Sequence, residues 1–237
     1  MAIYVTGDTH GKFDRVAAFC ERFNTTQRDV LIILGDAGIN YWGAKGDRSL
    51  KRKLAQLPIT LFCVHGNHER RPDKIETYKA IPWWDAIAYR EEEFPNLIFA
   101  HDGCIYDIEG KKTFVCGGAY SVDKHYRLAR GVNWFDDEQP NERTKEMCER
   151  RLEQAAWKVD RVLTHTCPAR HVPREMFLPS IDQSTVDTTT EQWLDKILTN
   201  ISCSKWLCGH YHTDKSELLK GENGHEIRFL YNDIIAW

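Results

Sequence analysis

The chain has 237 residues, 42% of them hydrophobic and 28% charged, with a formal net charge of −3. That length suits one α/β core, which can extend to roughly 250 residues, so residues 1–237 read as a single domain. The slightly acidic balance gives no general basic field for nucleic acid, and no apolar stretch reaches the roughly 18 residues a membrane span needs.

In chain order, residues 3–5 form a short apolar run that stops at Gly7, the mark of a buried strand. Residues 13–20 carry apolar side chains at helical spacing. Residues 30–34 read as a second strand, and a basic, polar helix around residues 49–56 leads through Pro58 to a third at residues 61–64. Residues 82–93 read as a loop whose Trp83 and Trp84 either cover the core or stack on a base. Core is the favoured reading, because Trp is highly buried on average. Residues 96–116 read as short alternating strands with a hairpin turn at residues 109–112. Residues 117–135 read as a loop that opens on two glycines and gathers Lys124, His125, Arg127 and Arg130; it is either a solvated charged turn or a phosphate-binding segment using Arg127 or Lys124. Residues 141–158 suit a charged amphipathic helix starting after Pro140, and residues 161–164 the next buried strand. A helix over residues 185–198, capped by one of its threonines, leads to the apolar pair Trp206 and Leu207. The chain ends in a hairpin of residues 215–220 and 226–231, turning through residues 221–224. Strand–helix units, then hairpins, then more strand–helix units imply two mixed sheets with helices outside.

The chemistry gathers in five short words after these runs: Gly7-Asp8-Thr9-His10-Gly11, Gly35-Asp36-Ala37-Gly38, Gly66-Asn67-His68-Glu69, Thr164-His165-Thr166 and Gly209-His210-Tyr211-His212. Glycine lets the backbone turn beside a crowded ion, and Asp, Asn and His supply oxygen and nitrogen donors. Taken singly, each word has a plainer reading. A lone His165 is more often an ordinary hydrogen-bonded residue, and an Asp in a Gly-Asp-Ala-Gly turn more often bonds its own loop. Together, the metal reading accounts for all five. His65, His101, His125, His171 and His225 match no word and read as ordinary, with His65 and His125 the nearest to the site.

The set resembles the calcineurin-like metallophosphoesterase superfamily, whose pattern is D-x-H, G-D, G-N-H-[DE], a lone His, then G-H-x-H. The resemblance spans Asp8 to His212 and implies a four-layer α/β/β/α sandwich, an α/β fold with two mixed sheets flanked by helices. It implies that Asp8, His10 and His212 hold one metal, that Asn67, His165 and His210 hold the other, and that Asp36 bridges the pair. It gives His68 the part of catalytic, non-ligand His near the leaving group. Two divalent ions roughly 3.5–4 Å apart clamp phosphoryl oxygens and activate water near neutral pH. Mixed imidazole and carboxylate ligation suits Mn, and also Fe, Ni or Zn, better than Ca or Mg. Asn67 can turn its amide toward substrate as well as metal, and a protonated His68 can act as general acid.

The implied activity is hydrolysis of a small phosphate ester. Among such enzymes the Ser/Thr protein phosphatases share the first and third words. Their second block runs into Asp-Arg-Gly and an Arg precedes their third, whereas here Asp36 leads into Ala37-Gly38-Ile39-Asn40 and His65 stands before Gly66. A phosphodiesterase acting on a small nucleotide or nucleic-acid end is therefore the expectation, with Asn67 and Arg127 on substrate and the phosphatase-like phosphomonoesterase as the alternative. The eight cysteines show no C-x-x-C pair and read as reduced, buried thiols. The N-terminus runs straight into the first word without an apolar leader, so the expected location is the cytoplasm, with no membrane and no clear protein partner.

Overall fold

A computed structural model describes residues 1–218 and 226–237. Its strands divide between two mixed sheets. In the first, β1 (Ile3–Thr6), β2 (Val30–Ile33), β3 (Thr60–Cys63) and β6 (Leu97–Ala100) run parallel, with β4 (Tyr78–Trp83) and β5 (Ala86–Glu91) antiparallel at one edge and β13 (Ile234–Ala236) at the other. In the second, β8 (Lys111–Cys116), β9 (Arg161–Thr164), β10 (Lys205–Cys208) and β12 (Glu226–Phe229) run parallel, edged by β7 (Ile105–Ile108) and β11 (Lys215–Leu218).

Alternation along the strands builds three apolar layers. Val30, Ile32 and Leu34 point inward with Val5 and Phe62, where they meet Val115, Leu163 and Leu207 of the other sheet. Leu31, Ile33, Leu61 and Cys63 point outward, onto Val16 and Cys20 of α1 (Asp14–Phe23) and Leu54 of α2 (Ala44–Leu54). On the far side, Phe114, Val162 and Trp206 face Cys148 and Leu152 of α4 (Glu142–Gln154), and Trp193, Leu194 and Ile197 of α5 (Thr189–Asn200). Central strands sandwiched this way are apolar on both faces, which is why they read as unbroken runs and not as alternation. The result is the α/β/β/α sandwich of two mixed sheets.

Several boundaries and elements differ from the sequence expectation. The second helix starts at Ala44, where Asp47 accepts hydrogen bonds from the backbone N–H groups of Tyr41, Trp42 and Gly43. Residues 82–93 are mostly the β4–β5 hairpin, turning at Trp84 and Asp85, both at positive φ. Pro82 is accommodated because β4 lies at the sheet edge, where the missing N–H is tolerated. Residues 117–135 contain a short helix, α3 (Lys124–Arg130). The fifth helix starts later than expected, and Thr188 occupies its N-cap without a side-chain capping bond. The terminal hairpin pairs β11 with β12, while its turn and His225 lie outside the described residues. All eight cysteines are free and buried. No helix among the described residues is long and apolar enough to cross a membrane.

Candidate metal centre

Every metal-ligand candidate sits on a loop leaving the carboxyl end of a parallel strand, where open α/β sheets expose their backbone ends to ligands. Asp8 and His10 follow β1, Asp36 follows β2 and Asn67 follows β3. His165 follows β9, and His210 and His212 follow β10. The two sheets thus contribute facing halves of one site.

In the first cluster, His10 Nε2 and His212 Nε2 approach to 2.9 Å. Asp8 Oδ2 lies 3.3 Å from His212 Nε2 and 3.7 Å from His10 Nε2. Two nitrogens each about 2.1 Å from one ion stand roughly 3.0–3.4 Å apart, so this spacing is close to that of a shared ion. Asp8 Oδ2 is buried and accepts no hydrogen bond among the described residues. An orphaned carboxylate oxygen is costly unless a cation or donor meets it.

The second cluster carries a sharper signature. His165 Nδ1 stands 2.7 Å from the Leu34 carbonyl, which can only accept, so Nδ1 holds the hydrogen. In the neutral ring Nε2 is then a bare lone pair, yet it points at Asn67 Oδ1 from 2.8 Å. His210 Nδ1 reaches the same oxygen at 3.1 Å. Asn67 is held in this pose by Nδ2 donating to Ser121 Oγ at 2.8 Å. Asp36 lies between the clusters: Oδ1 is 3.7 Å from His165 Nε2, Oδ2 is 3.8 Å from His10 Nδ1, and Oδ1 accepts from the His68 backbone at 2.8 Å. The donor set therefore fits divalent transition-metal ions.

The glycines of the words are spacers. A Cβ on Gly66 would stand 2.0 Å from Asp36 Oδ1, and one on Gly209 2.4 Å from Asp8 Oδ1. The backbone is also strained here: His10, Asp36, His210 and His212 all adopt positive φ, between 47° and 66°. Such conformations cost of order 1–3 kcal/mol each and collect at functional sites.

Electrostatics follow from enclosure. Burial opposes ionisation of Asp8, but His212, His165 and His10 outweigh it and hold the carboxyl below its ordinary range. Burial, then the charge of Asp8, pushes Asp36 well up. A cation between two such carboxylates reverses that balance. Burial lowers His10 to about 4 and His210 well below its usual value, favouring the neutral, ligating imidazole. His68, lowered to about 3 by burial and by the Arg127 charge, stands 3.9 Å from Asp36 Oδ2 through Nε2.

Arg127 is half-buried on α3. Its Nε donates to Asp123 at 2.7 Å, and its Nη1 to Tyr41 Oη at 3.0 Å and to the Asn133 carbonyl at 3.1 Å. Lys124 instead lies over the Trp134 ring, 4.3 Å from its centroid. His125 is exposed and His65 is buried behind the site, and neither lines the cleft beside the ligands. Trp83 and Trp84 pack on the inter-sheet core and border a surface with Met1, Val30 and Thr60, at the amino ends of the strands and away from the metal loops.

Three features escaped the sequence reading. Ser121 orients Asn67. Glu69 ties two metal loops together, accepting from Gly66 N at 3.0 Å and Gly38 N at 3.2 Å. Beside Asp36, Asn67, His68, His210 and His212 opens a cleft of about 400 Å³, walled largely by residues 172–188. The fourth position of the G-N-H-[DE] word could have pointed to Glu69; nothing in the sequence marked Ser121 or the cleft wall.

Comparison with one solved structure agrees with the fold. A solved structure of the phosphopantetheinyl hydrolase PptH from Mycobacterium tuberculosis is 13% identical, with a TM-score of 0.53 covering 97% of this chain and 89% of that one. Another, TT1561 of Thermus thermophilus, is also 13% identical, with a TM-score of 0.48 covering 96% and 87%. No curated protein sequence matches significantly. The family model for calcineurin-like phosphoesterases matches residues 1–214. With two mixed sheets, clustered metal-ligating side chains and that match, the chain belongs to the calcineurin-like phosphoesterases, metal-dependent hydrolases of phosphate esters.

Proposed function

We propose that the protein is a dinuclear phosphodiesterase that cleaves a small phosphodiester. In this reading Asp8, His10 and His212 hold one ion, Asn67, His165 and His210 hold the other, and Asp36 is shared. The observation that carries the dinuclear centre is the lone pair of His165 Nε2 facing Asn67 Oδ1 at 2.8 Å, a contact that requires a cation or a proton between the two. Two bound transition-metal ions, Mn foremost and Fe, Ni or Zn also suited, supply Lewis acidity and lower the pKa of water.

The side chains do the rest. Leu34 and Ser121 fix the orientation of the His165 and Asn67 ligating atoms. His68 lines the cleft, neutral until an anionic substrate stabilises its protonated form, and then delivers a proton to the departing oxygen. Arg127, pinned by Asp123 and Tyr41 outside the cleft lining, offers a fixed positive charge toward the phosphate.

The diester preference rests on the cleft, whose lining contains no Lys or Arg and includes Asp123, Asp187 and Glu191. A singly charged diester needs less neutralisation there than a dianionic monoester. A small nucleotide belongs to this substrate class, but Trp83 and Trp84 do not support it. The aromatic rings that line the cleft are Tyr120, Phe177 and Tyr211, and Tyr231 stacks on His212 with ring centroids 4.6 Å apart. The phosphatase-like alternative has one observation in its favour: the Arg127 charge reaches both Asp36 and His68. The test is hydrolysis of bis(p-nitrophenyl) phosphate, p-nitrophenyl phosphate and a phosphoserine peptide by the Mn-loaded protein. Faster turnover of the diester is expected. Efficient peptide dephosphorylation with an inert diester would reverse the assignment.

A further inference from the structure

We propose that the cleft beside the metal ligands takes the ester arm of the substrate as an uncharged, largely aliphatic chain, and that Glu191 Oε2 accepts a hydrogen bond from a hydroxyl or amide N–H on that arm. The inference rests on the hydrolase reading only in placing the phosphorus at Asp36, His68, His210 and His212, which the cleft adjoins.

Two independent observations support it. The first is the wall. Val122, Met176 and Leu178 are 38%, 39% and 58% exposed, and Ile181 and Val186 line the same cleft. Exposed apolar side chains scattered singly mean little, but here they converge on one concavity next to reactive groups. The lining holds no Lys or Arg, and Arg127 is already paired with Asp123. Beyond the metal end, an arm carrying further phosphates or a carboxylate would therefore meet the acidic side chains of Asp123, Asp187 and Glu191. Of the three carboxylates beyond the metal candidates, Asp123 is already bonded to Arg127, and Asp187 accepts from Thr189 N and Gln139 Nε2.

The second observation is Glu191. It is 5% exposed, lines the cleft, and uses Oε1 to accept from Thr166 Oγ at 2.7 Å. Its Oε2 is enclosed and has no hydrogen-bond partner among the described residues. A buried carboxylate oxygen left bare is destabilising, and a ligand donor remedies it. Thr166 follows His165 directly and also meets Tyr211 Oη at 3.2 Å, so the bare oxygen stands one bonded link from the ligand loops. Glu191 lines the same cleft as Asp36, His68, His210 and His212, so the arm's donor belongs in that cleft, with the aliphatic part along residues 176–186.

The test is calorimetric titration of the Mn-loaded protein with singly charged monomethyl esters of methyl-, propyl-, hexyl-, 3-hydroxypropyl- and 5-carboxypentylphosphonate, and with thymidine 5′-methylphosphonate. The hexyl compound should bind at least about tenfold more tightly than the methyl, and the hydroxypropyl about threefold to tenfold more tightly than the propyl. The carboxypentyl compound should bind more weakly than the hexyl. Ile181→Asp should collapse the hexyl-to-methyl ratio, and Glu191→Leu the hydroxypropyl-to-propyl ratio. If Glu191→Leu does not fold, the wild-type ratio decides. Equal binding of methyl and hexyl, no gain from the hydroxyl, or tightest binding of the thymidine compound overturns the proposal. The expected order without turnover of any diester would sustain the arm site and refute the phosphodiesterase reading alone.

Discussion

His165 Nε2 and Asn67 Oδ1 stand 2.8 Å apart although, in neutral His165, neither atom carries a hydrogen. Leu34 takes the only ring proton, and Ser121 holds the amide so that its oxygen stays in place. Removing Ser121's hydroxyl frees the Asn67 amide to turn its NH₂ toward His165 and satisfy the contact without metal. Ser121→Ala should therefore weaken metal affinity by about 10–100-fold, the usual effect of losing an outer-shell partner. Asp36→Ala should be worse, leaving fewer than two ions per chain by elemental analysis. Full double occupancy in Asp36→Ala would remove its bridging role.

His68→Ala should keep both metals and lower kcat by about 10²–10⁴-fold, the range for loss of a general acid. The loss should shrink for leaving groups that need little protonation. An equal loss across leaving groups would mean that His68 positions the phosphate instead.

Arg127 touches both binding and titration. Its charge helps hold His68 at about 3, so Arg127→Ala should move the His68 titration upward. This is visible as an upward shift of the limb on which rate falls with rising pH, because His68 acts in its protonated form. The same substitution should raise KM more than it lowers kcat, since a fixed clamp binds ground and transition states alike. A kcat effect alone, with an unmoved profile, would detach Arg127 from the site.

In the metal-stripped protein, burial and Asp36 raise Glu69 to about 8, and Asp36 itself is raised. Each folded-state pKa lies above its unfolded value, whereas the lowered His10, His68 and His210 lose protons on folding below about pH 6.5. The extra protons on Glu69 and Asp36 therefore decide the balance only between about pH 6.5 and 8. Stability in chelator should then fall as pH rises through that window, by up to about 1.4 kcal/mol per pH unit for each group. Metal loading should flatten the slope, because the ions neutralise Asp36. Denaturant midpoints measured from pH 6.5 to 8, with and without metal, check this; an apo curve that rises over that range would contradict it.

The same geometry shows what the sequence could and could not disclose. The five words place Asp8, His10, Asp36, Asn67, His165, His210 and His212 within one site because strand ends and their glycine turns are local signals. The central strands were legible because burial on both faces leaves unbroken apolar runs. Trp83 and Trp84 were readable as core but not as a hairpin, because edge position, which excuses Pro82, is a property of the assembled sheet. Helix α3, Ser121 and the cleft wall depend on contacts between segments distant in sequence, so no local pattern records them. Trp84→Ala should accordingly lower stability by about 2–3 kcal/mol, somewhat less than a fully buried aromatic, while leaving kcat/KM within about twofold.

The division of the ligands between the two sheets has a consequence for the order of events during synthesis and folding. Asp8 and His212 are separated by 204 positions in sequence, yet His212 Nε2 lies 3.3 Å from Asp8 Oδ2. No amino-terminal fragment that stops before β10 contains either of the two proposed donor sets in full, since one includes His210 and the other His212. On that assignment, tight metal capture would be a late event that follows closure of the longest loops in the chain and reports that both sheets have docked. A growing chain would pass through its early stages with four donors exposed and the rest not yet made, able to bind metal only loosely until the last parallel strands arrive.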